Sequence, residues 1–229
     1  MVIVGHGSRD PRSSATLRRL AGRVARRWAG PVTAAFLDFD PPSVPVALRS
    51  LAPDERAPVV VPALLTRAYH RRVDLPSLLA GFSVGVTAVL GPEAPGDPVD
   101  PRLVAALMRR VSEVERRFDG IALLAAGTSD PTARSTVEDV AAALGAALHV
   151  PCSVGYASTS SPSAADAVSL VRRTGARRVV AASYFLARGR LHDAAEAAAR
   201  SAGAVGVAPP LGAAEELVDL VLARAVALA

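Results

Sequence analysis

The chain has 229 residues, of which 51% are hydrophobic, 21% charged and 4% aromatic, a balance that excludes disorder and calls for cores of valine, leucine and alanine. Its one cysteine, Cys152, excludes an internal disulfide framework and a cysteine-based metal cluster, and reads as a small buried hydrophobe. All 26 basic residues are arginine and the net charge is +5, yet the arginines are scattered among helical carboxylates, so no basic stripe interleaved with aromatics marks a nucleic-acid surface.

The start of the chain lacks a charged n-region and a long apolar run, so no signal peptide is expected. The longest apolar stretches fall short of a membrane span, which predicts a soluble, cytoplasmic protein. Residues 1–4 form a short apolar run ending at Gly5, as in a buried parallel strand. A helical pattern follows over 12–28, with Asp10 placed to cap it and Pro11 at its first position. Strands are expected at 32–37, 58–65 and 84–90, and helices at 43–51, 74–80 and 101–118.

Beyond residue 118 the same order returns. Strands are expected at 121–126, 148–156, 178–185 and 204–208, and helices at 131–144, 163–173, 191–202 and 213–228. Such alternation predicts an α/β fold of two tandem similar domains, each a four-stranded parallel sheet with helices on both faces. The proline- and glycine-rich stretch 91–98 reads as a loop, and the boundary falls near residues 118–120, giving domains 1–118 and 119–229.

The return is a sequence repeat. With a shift of 120, Gly7 meets Gly127, Asp10-Pro11 meets Asp130-Pro131, Phe36 meets Tyr156 and Pro42-Ser43 meets Pro162-Ser163. The copies differ where chemistry is concerned: His6 faces Ala126, Asp38 faces Ser158 and His70 faces Arg190. Two histidines and a carboxylate therefore stand only in the first copy, which predicts a site in one half and a supporting role for the other. All three follow strand ends, and in open parallel sheets that rim binds ligands.

A histidine between glycines, as in Gly5-His6-Gly7, has the backbone freedom of a ligand or general base in a loop. Two imidazoles and a carboxylate with open positions suit a borderline divalent ion such as Fe²⁺ or Co²⁺, which makes His6, His70 and Asp38 the expected metal ligands, with Asp40 two residues from Asp38. His149 and His192 lack such company; His149 reads as structural, and His192 lies in the loop that matches the one holding His70. Arginines there replace the histidine, a change that suits substrate carboxylates.

Together Val4-Gly5-His6-Gly7-Ser8-Arg9-Asp10, Phe36-Leu37-Asp38 with Pro42-Ser43, Val61-Pro62 through Tyr69-His70 to Val73-Asp74-Leu75-Pro76, and Tyr184-Phe185-Leu186-Ala187-Arg188-Gly189 resemble the sirohydrochlorin chelatases, the class II tetrapyrrole chelatases. The match covers nearly the whole chain and is similar to the long, internally duplicated form, in which one chain replaces a homodimer. The resemblance implies insertion of Co²⁺ or Fe²⁺ into sirohydrochlorin, with His6 and His70 holding the metal and taking up pyrrole protons. Where the family usually carries glutamate this chain has Asp38, one methylene shorter, which makes a water-bridged contact as apt as a direct one. Sirohydrochlorin is rich in carboxylates, so Ser8, Arg9, Arg67, Arg71, Arg72, Arg188 and Arg190 become the expected substrate contacts. The metal is a substrate, no organic cofactor is implied, and a monomer is expected, with no nucleic-acid or membrane partner. A non-catalytic tetrapyrrole or metal carrier is the alternative. A histidine-dependent phosphoryl-transfer enzyme is a further one, disfavoured because Gly5 stands where its phosphate pocket needs an arginine.

Overall fold

The computed structural model describes residues 1–51, 57–66, 75–158 and 160–228. The first half runs β1 (Val2–Gly5), α1 (Pro11–Ala25), β2 (Thr33–Phe36), α2 (Val44–Ser50), β3 (Val59–Pro62), α3 (Leu75–Leu79), β4 (Gly85–Val86) and α4 (Pro101–Ser112). The second runs β5 (Gly120–Ala125), α5 (Pro131–Leu148), β6 (Cys152–Tyr156), α6 (Ala164–Arg173), β7 (Val179–Ser183), α7 (Arg190–Ser201), β8 (Gly206–Val207) and α8 (Glu215–Val226). Each half is a four-stranded parallel sheet, ordered β2-β1-β3-β4 and β6-β5-β7-β8. In both orders the chain passes from one side of the first strand to the other, which opens a crevice beyond the carboxyl ends.

Strand faces alternate between two cores. Ile3 of β1 and Ile121 and Leu123 of β5 point into one apolar core shared by the halves, while Val2, Val4, Ala122 and Leu124 point to the outer layers. Val44, Leu48 and Leu75 cover the first sheet's outer face, and Val168, Val171 and Ala199 the second's.

The closing helices are exchanged. α4 of the first half lies against α5 and β7 of the second, and α8 of the second lies against α1 and β3 of the first. Leu103 and Leu107 of α4 meet Leu217 and Val221 of α8 in the shared core, all fully buried. Each such side chain contributes about 1.5–3 kcal/mol on leaving water. Polar contacts repeat the exchange: Arg110 Nη2 donates to the Leu211 carbonyl at 2.9 Å and Arg224 Nε to the Val89 carbonyl at 3.1 Å.

Several elements end earlier or later than their apolar runs suggest. β3 stops at Pro62 rather than 65: the Ala63 N–H still donates to the Val4 carbonyl at 2.7 Å, and Leu64 and Leu65 then leave the ladder and line a cavity. An apolar run reads alike as strand or buried loop. α4 stops at Ser112, where its apolar face ends, and Val114 beyond it is exposed. α5 continues to Leu148, and His149 closes it in the left-handed region (φ 55°), so the following strand starts at Cys152 rather than 148. Burial pushes the Cys152 thiol up to about 12, as expected of an inert packed cysteine.

Both copies enter their first helix identically. Asp10 accepts from the Arg12 N–H at 3.0 Å, and Asp130 from the Thr132 N–H at 2.9 Å. Gly7 (φ 89°) and Gly127 (φ 92°) precede them, and an added Cβ would meet the Asp38 carbonyl oxygen at 1.8 Å or the Ser158 carbonyl oxygen at 2.4 Å.

Two outcomes are expected. Gly127→Ala is more destabilising than Gly175→Ala, since both have positive φ but only Gly127 lacks room for a methyl group. Chemical denaturation is expected to give about 1 kcal/mol at Gly175 and at least about twice that at Gly127. The second outcome concerns Asp10, whose pKa falls from 3.8 to about 2, mainly through the side-chain hydrogen bond from Arg12. Because the folded value is depressed, the ion pair's stabilisation is complete above 3.8 and is lost as pH falls through about 2. Asp10→Asn retains a cap but not the charge, so its stability gap from wild type closes over that window. Denaturation midpoints between pH 2 and 5 measure it.

Candidate active site

The carboxyl ends of both sheets open on one cavity of about 1030 Å³, at the upper end of small-molecule sites. Its floor is apolar, with Leu17, Phe36, Leu65, Val137 and Tyr184. The Tyr184 hydroxyl crosses between the halves to donate to the Leu65 carbonyl at 2.7 Å, and burial raises its pKa far above that of free tyrosine.

His6, Ser8, Arg9, Arg188 and Arg190 all line this cavity. His6 leaves β1 half-buried, with Nδ1 3.1 Å from the Gly7 carbonyl oxygen. A carbonyl only accepts, so Nδ1 carries the proton and Nε2 carries the lone pair that a metal or a proton would take. The Ser8 hydroxyl accepts from the Asp10 N–H at 3.0 Å, so it also shapes the loop. Arg9 is exposed, with its guanidinium 5.4 Å from the Phe39 ring centre.

Asp38 is held beside His6 by backbone: its N–H donates to the His6 carbonyl at 2.9 Å. Its carboxylate is exposed, accepts from the Phe39 N–H at 2.8 Å and does not line the cavity. The carboxylate that reaches into the His6 loop is that of Asp40, which accepts from the Ser8 N–H at 3.0 Å. β2 ends at Phe36, so the two aspartates follow a turn rather than a pleat. His70, Arg67, Arg71 and Arg72 lie outside the described residues.

Phe39 was not singled out by the sequence. It is half exposed, sits in the left-handed region (φ 63°) and stacks on His6 with ring centres 6.3 Å apart. A bulky residue in that conformation marks local strain, which concentrates at functional sites.

His192 differs most from its sequence reading. It is the third residue of α7 rather than part of a loop, its side chain is 1% exposed, and it does have company. Nε2 lies 3.3 Å from Ser183 Oγ, Nδ1 lies 3.3 Å from Asp193 Oδ1, and Phe185 packs edge-on against the ring. Burial lowers its pKa from 6.5, and the hydrogen bond with Asp193 opposes the shift. The spacing of His192, Asp193 and Glu196 at the start of a helix was the available signal. Above them Arg12 bridges the halves, at 2.5 Å from Asp10 Oδ2 and 2.6 Å from Asp193 Oδ2. Arg188 lies 3.4 Å from Glu196 Oε2. Among the described residues no helix is long and apolar enough to cross a membrane.

Solved structures of the same fold include the sirohydrochlorin chelatase SirB from Bacillus subtilis subspecies spizizenii in complex with cobalt. It has a TM-score of 0.80 at 19% identity, covering 100% of this chain and 94% of that one. CbiX, described as the terminal enzyme for biosynthesis of siroheme in denitrifying bacteria, has a TM-score of 0.69 at 19% identity, covering 100% and 98%. In sequence the chain is 26% identical over 199 residues to the sirohydrochlorin ferrochelatase of Priestia megaterium, covering 83% of this chain and 74% of that one. It is 35% identical over 81 residues to the sirohydrochlorin cobaltochelatase of Methanocaldococcus jannaschii, a match spanning 34% of this chain and only 57% of the archaeal one. The CbiX family model matches twice, over residues 1–114 and again over 120–228; with one match in each half, the chain belongs to the CbiX family.

Proposed function

We propose that this chain is a cytoplasmic metal chelatase, a lyase-class enzyme that inserts Co²⁺ or Fe²⁺ into sirohydrochlorin on the way to cobalamin or siroheme. The observation that carries the reading is the cavity between the halves, which presents an imidazole from one wall and guanidinium groups from the other. The relatives named as sirohydrochlorin cobaltochelatase and ferrochelatase support it.

Insertion is slow in water because the ion must shed its hydration shell and the macrocycle must lose its pyrrole protons. Neutral imidazoles address both: they replace water on a borderline ion without adding charge, and they accept protons near neutral pH. His6 supplies Nε2 for this, its other nitrogen being committed to the Gly7 carbonyl. His70 is proposed as its partner. Asp38 is proposed as the third group, directly or through water, with the oxygen that does not serve the Phe39 N–H.

Arg9, Arg188 and Arg190 would hold the macrocycle's carboxylates from the rim, with Arg67, Arg71 and Arg72 assigned the same role and Ser8 a supporting one. The metal is substrate, and the reading requires no organic cofactor. One chain suffices, because the second half supplies the wall that a short subunit would obtain by dimerising.

His6→Ala and His70→Ala are each expected to lower insertion at saturating metal at least about a hundredfold, while His149→Asn, at a helix end away from the cavity, retains turnover. Absorbance of the metallated macrocycle follows the rate, and near wild-type turnover in either of the first two variants contradicts the assignment. The Arg188→Ala/Arg190→Ala pair is expected to raise KM for the tetrapyrrole several-fold with little change in kcat. The difference should shrink at high salt as exposed charges are screened. A KM unchanged at low salt would remove these arginines from substrate binding.

A further inference from the structure

His192 has one ring nitrogen against a hydroxyl and the other against carboxylates. Ser183 Oγ lies 2.6 Å from the Ala208 carbonyl oxygen, and because that oxygen only accepts, the hydroxyl hydrogen is committed there. Towards His192 Nε2, 3.3 Å away, Ser183 can then only accept, so Nε2 carries the ring's proton. Nδ1 is then the nitrogen that faces the carboxylates, 3.3 Å from Asp193 Oδ1 and 3.9 Å from Glu196 Oε2, and a cation bound there takes the place of its proton.

We propose that His192, Asp193 and Glu196 form a second divalent-cation site, next to the cavity where His192 lines it, for a borderline ion such as Co²⁺, Fe²⁺ or Zn²⁺. The three ligand atoms lie within 4.8 Å of one another. A tetrahedral ion with bonds of about 2.0–2.1 Å holds its ligands about 3.3–3.4 Å apart, so small side-chain adjustments close the set. The outer oxygens are already fixed by arginines: Arg12 donates to Asp193 Oδ2 at 2.6 Å and Arg200 to Glu196 Oε1 at 2.8 Å. This is the support that ligating carboxylates receive in metal sites.

Arg188 is the competitor. Its Nη1 lies 3.4 Å from Glu196 Oε2 and 3.9 Å from Asp193 Oδ1, the two oxygens that face Nδ1. Its side chain is 47% exposed and can swing away. Ion and guanidinium therefore exclude each other. The surrounding positive charge weakens ion binding, which suits an ion that is passed on rather than retained. If the cavity holds a polycarboxylate, as the chelatase reading has it, an ion at this site releases Arg188 to that ligand; the site itself does not depend on the reading.

Cobalt titration of the protein without tetrapyrrole tests the site, followed by calorimetry and the visible absorption of the bound ion. Wild type is expected to bind two ions per chain. The His6→Ala/His70→Ala pair should retain one, and the Asp193→Asn/Glu196→Gln pair should retain the other. Arg188→Ala should tighten the site that survives loss of His6 and His70 by about tenfold, the effect of one nearby like charge. Circular dichroism melts confirm that each variant is folded. A stoichiometry of one that vanishes with His6 and His70, or two ions retained in Asp193→Asn/Glu196→Gln, overturns the proposal. Insertion activity is not the readout, so failure of this site and failure of the chelatase reading are told apart.

Discussion

Everything that the cavity offers depends on one packing feature, the exchange of α4 and α8 between the halves. Each sheet is covered on its inner face by the closing helix of the other half, so neither inner face is buried by its own half alone. Leu103, Leu107, Leu217 and Val221 meet in a core that belongs to neither copy. The crossing ion pairs, such as Arg27 with Asp219 at 2.6 Å, are exposed and worth little beside that apolar seam. The seam fixes the two sheets rim to rim, and the space between their strand ends is the cavity. A hinge between tandem domains would instead let the rims drift and spoil the geometry that brings His6 and Arg188 to one space.

Within that frame the two copies hold the same loop by different chemistry. In both, a glycine with positive φ lets the chain turn close beneath a carbonyl, and an aspartate caps the next helix. In the first copy a carboxylate, Asp40, receives the Ser8 N–H; in the second a hydroxyl, Ser160, receives the Thr128 N–H at 3.2 Å and returns a bond to the Thr128 carbonyl at 2.8 Å. The neutral version is self-contained. The charged version places an anion beside the loop that carries His6, where a cation would be welcome.

Much of this was legible in the sequence, because the features rest on local rules. Parallel strands read as continuous apolar runs, Asp10 reads as a cap, and the repeat shows the same succession of elements in both halves. The helix exchange was not legible: the periodicity of α4 says that one face is buried, not against which sheet. Nor was the end of β3, since Leu64 and Leu65 line the cavity beyond the ladder yet continue its apolar run. The contact of Asp40 with the Ser8 N–H was not legible either, because it depends on where β2 stops, and boundaries are the least certain part of a pattern. His192 was read as isolated because its partners were sought at the rim position of a repeat rather than on the next turn of its own helix.

Two arginines at or near the cavity are engaged with the protein's own carboxylates. Arg12 holds Asp10 and Asp193, and Arg188 leans on Asp193 and Glu196. A polyanionic ligand therefore exchanges partners with these carboxylates rather than meeting bare charge. Exchange costs less than desolvating isolated ions, because both states leave the guanidinium paired. Selectivity then lies in spacing, since a ligand must present several carboxylates at once to displace several internal ones. On the proposed chelatase reading, a planar, carboxylate-rich macrocycle would meet that demand and a small dicarboxylate would not.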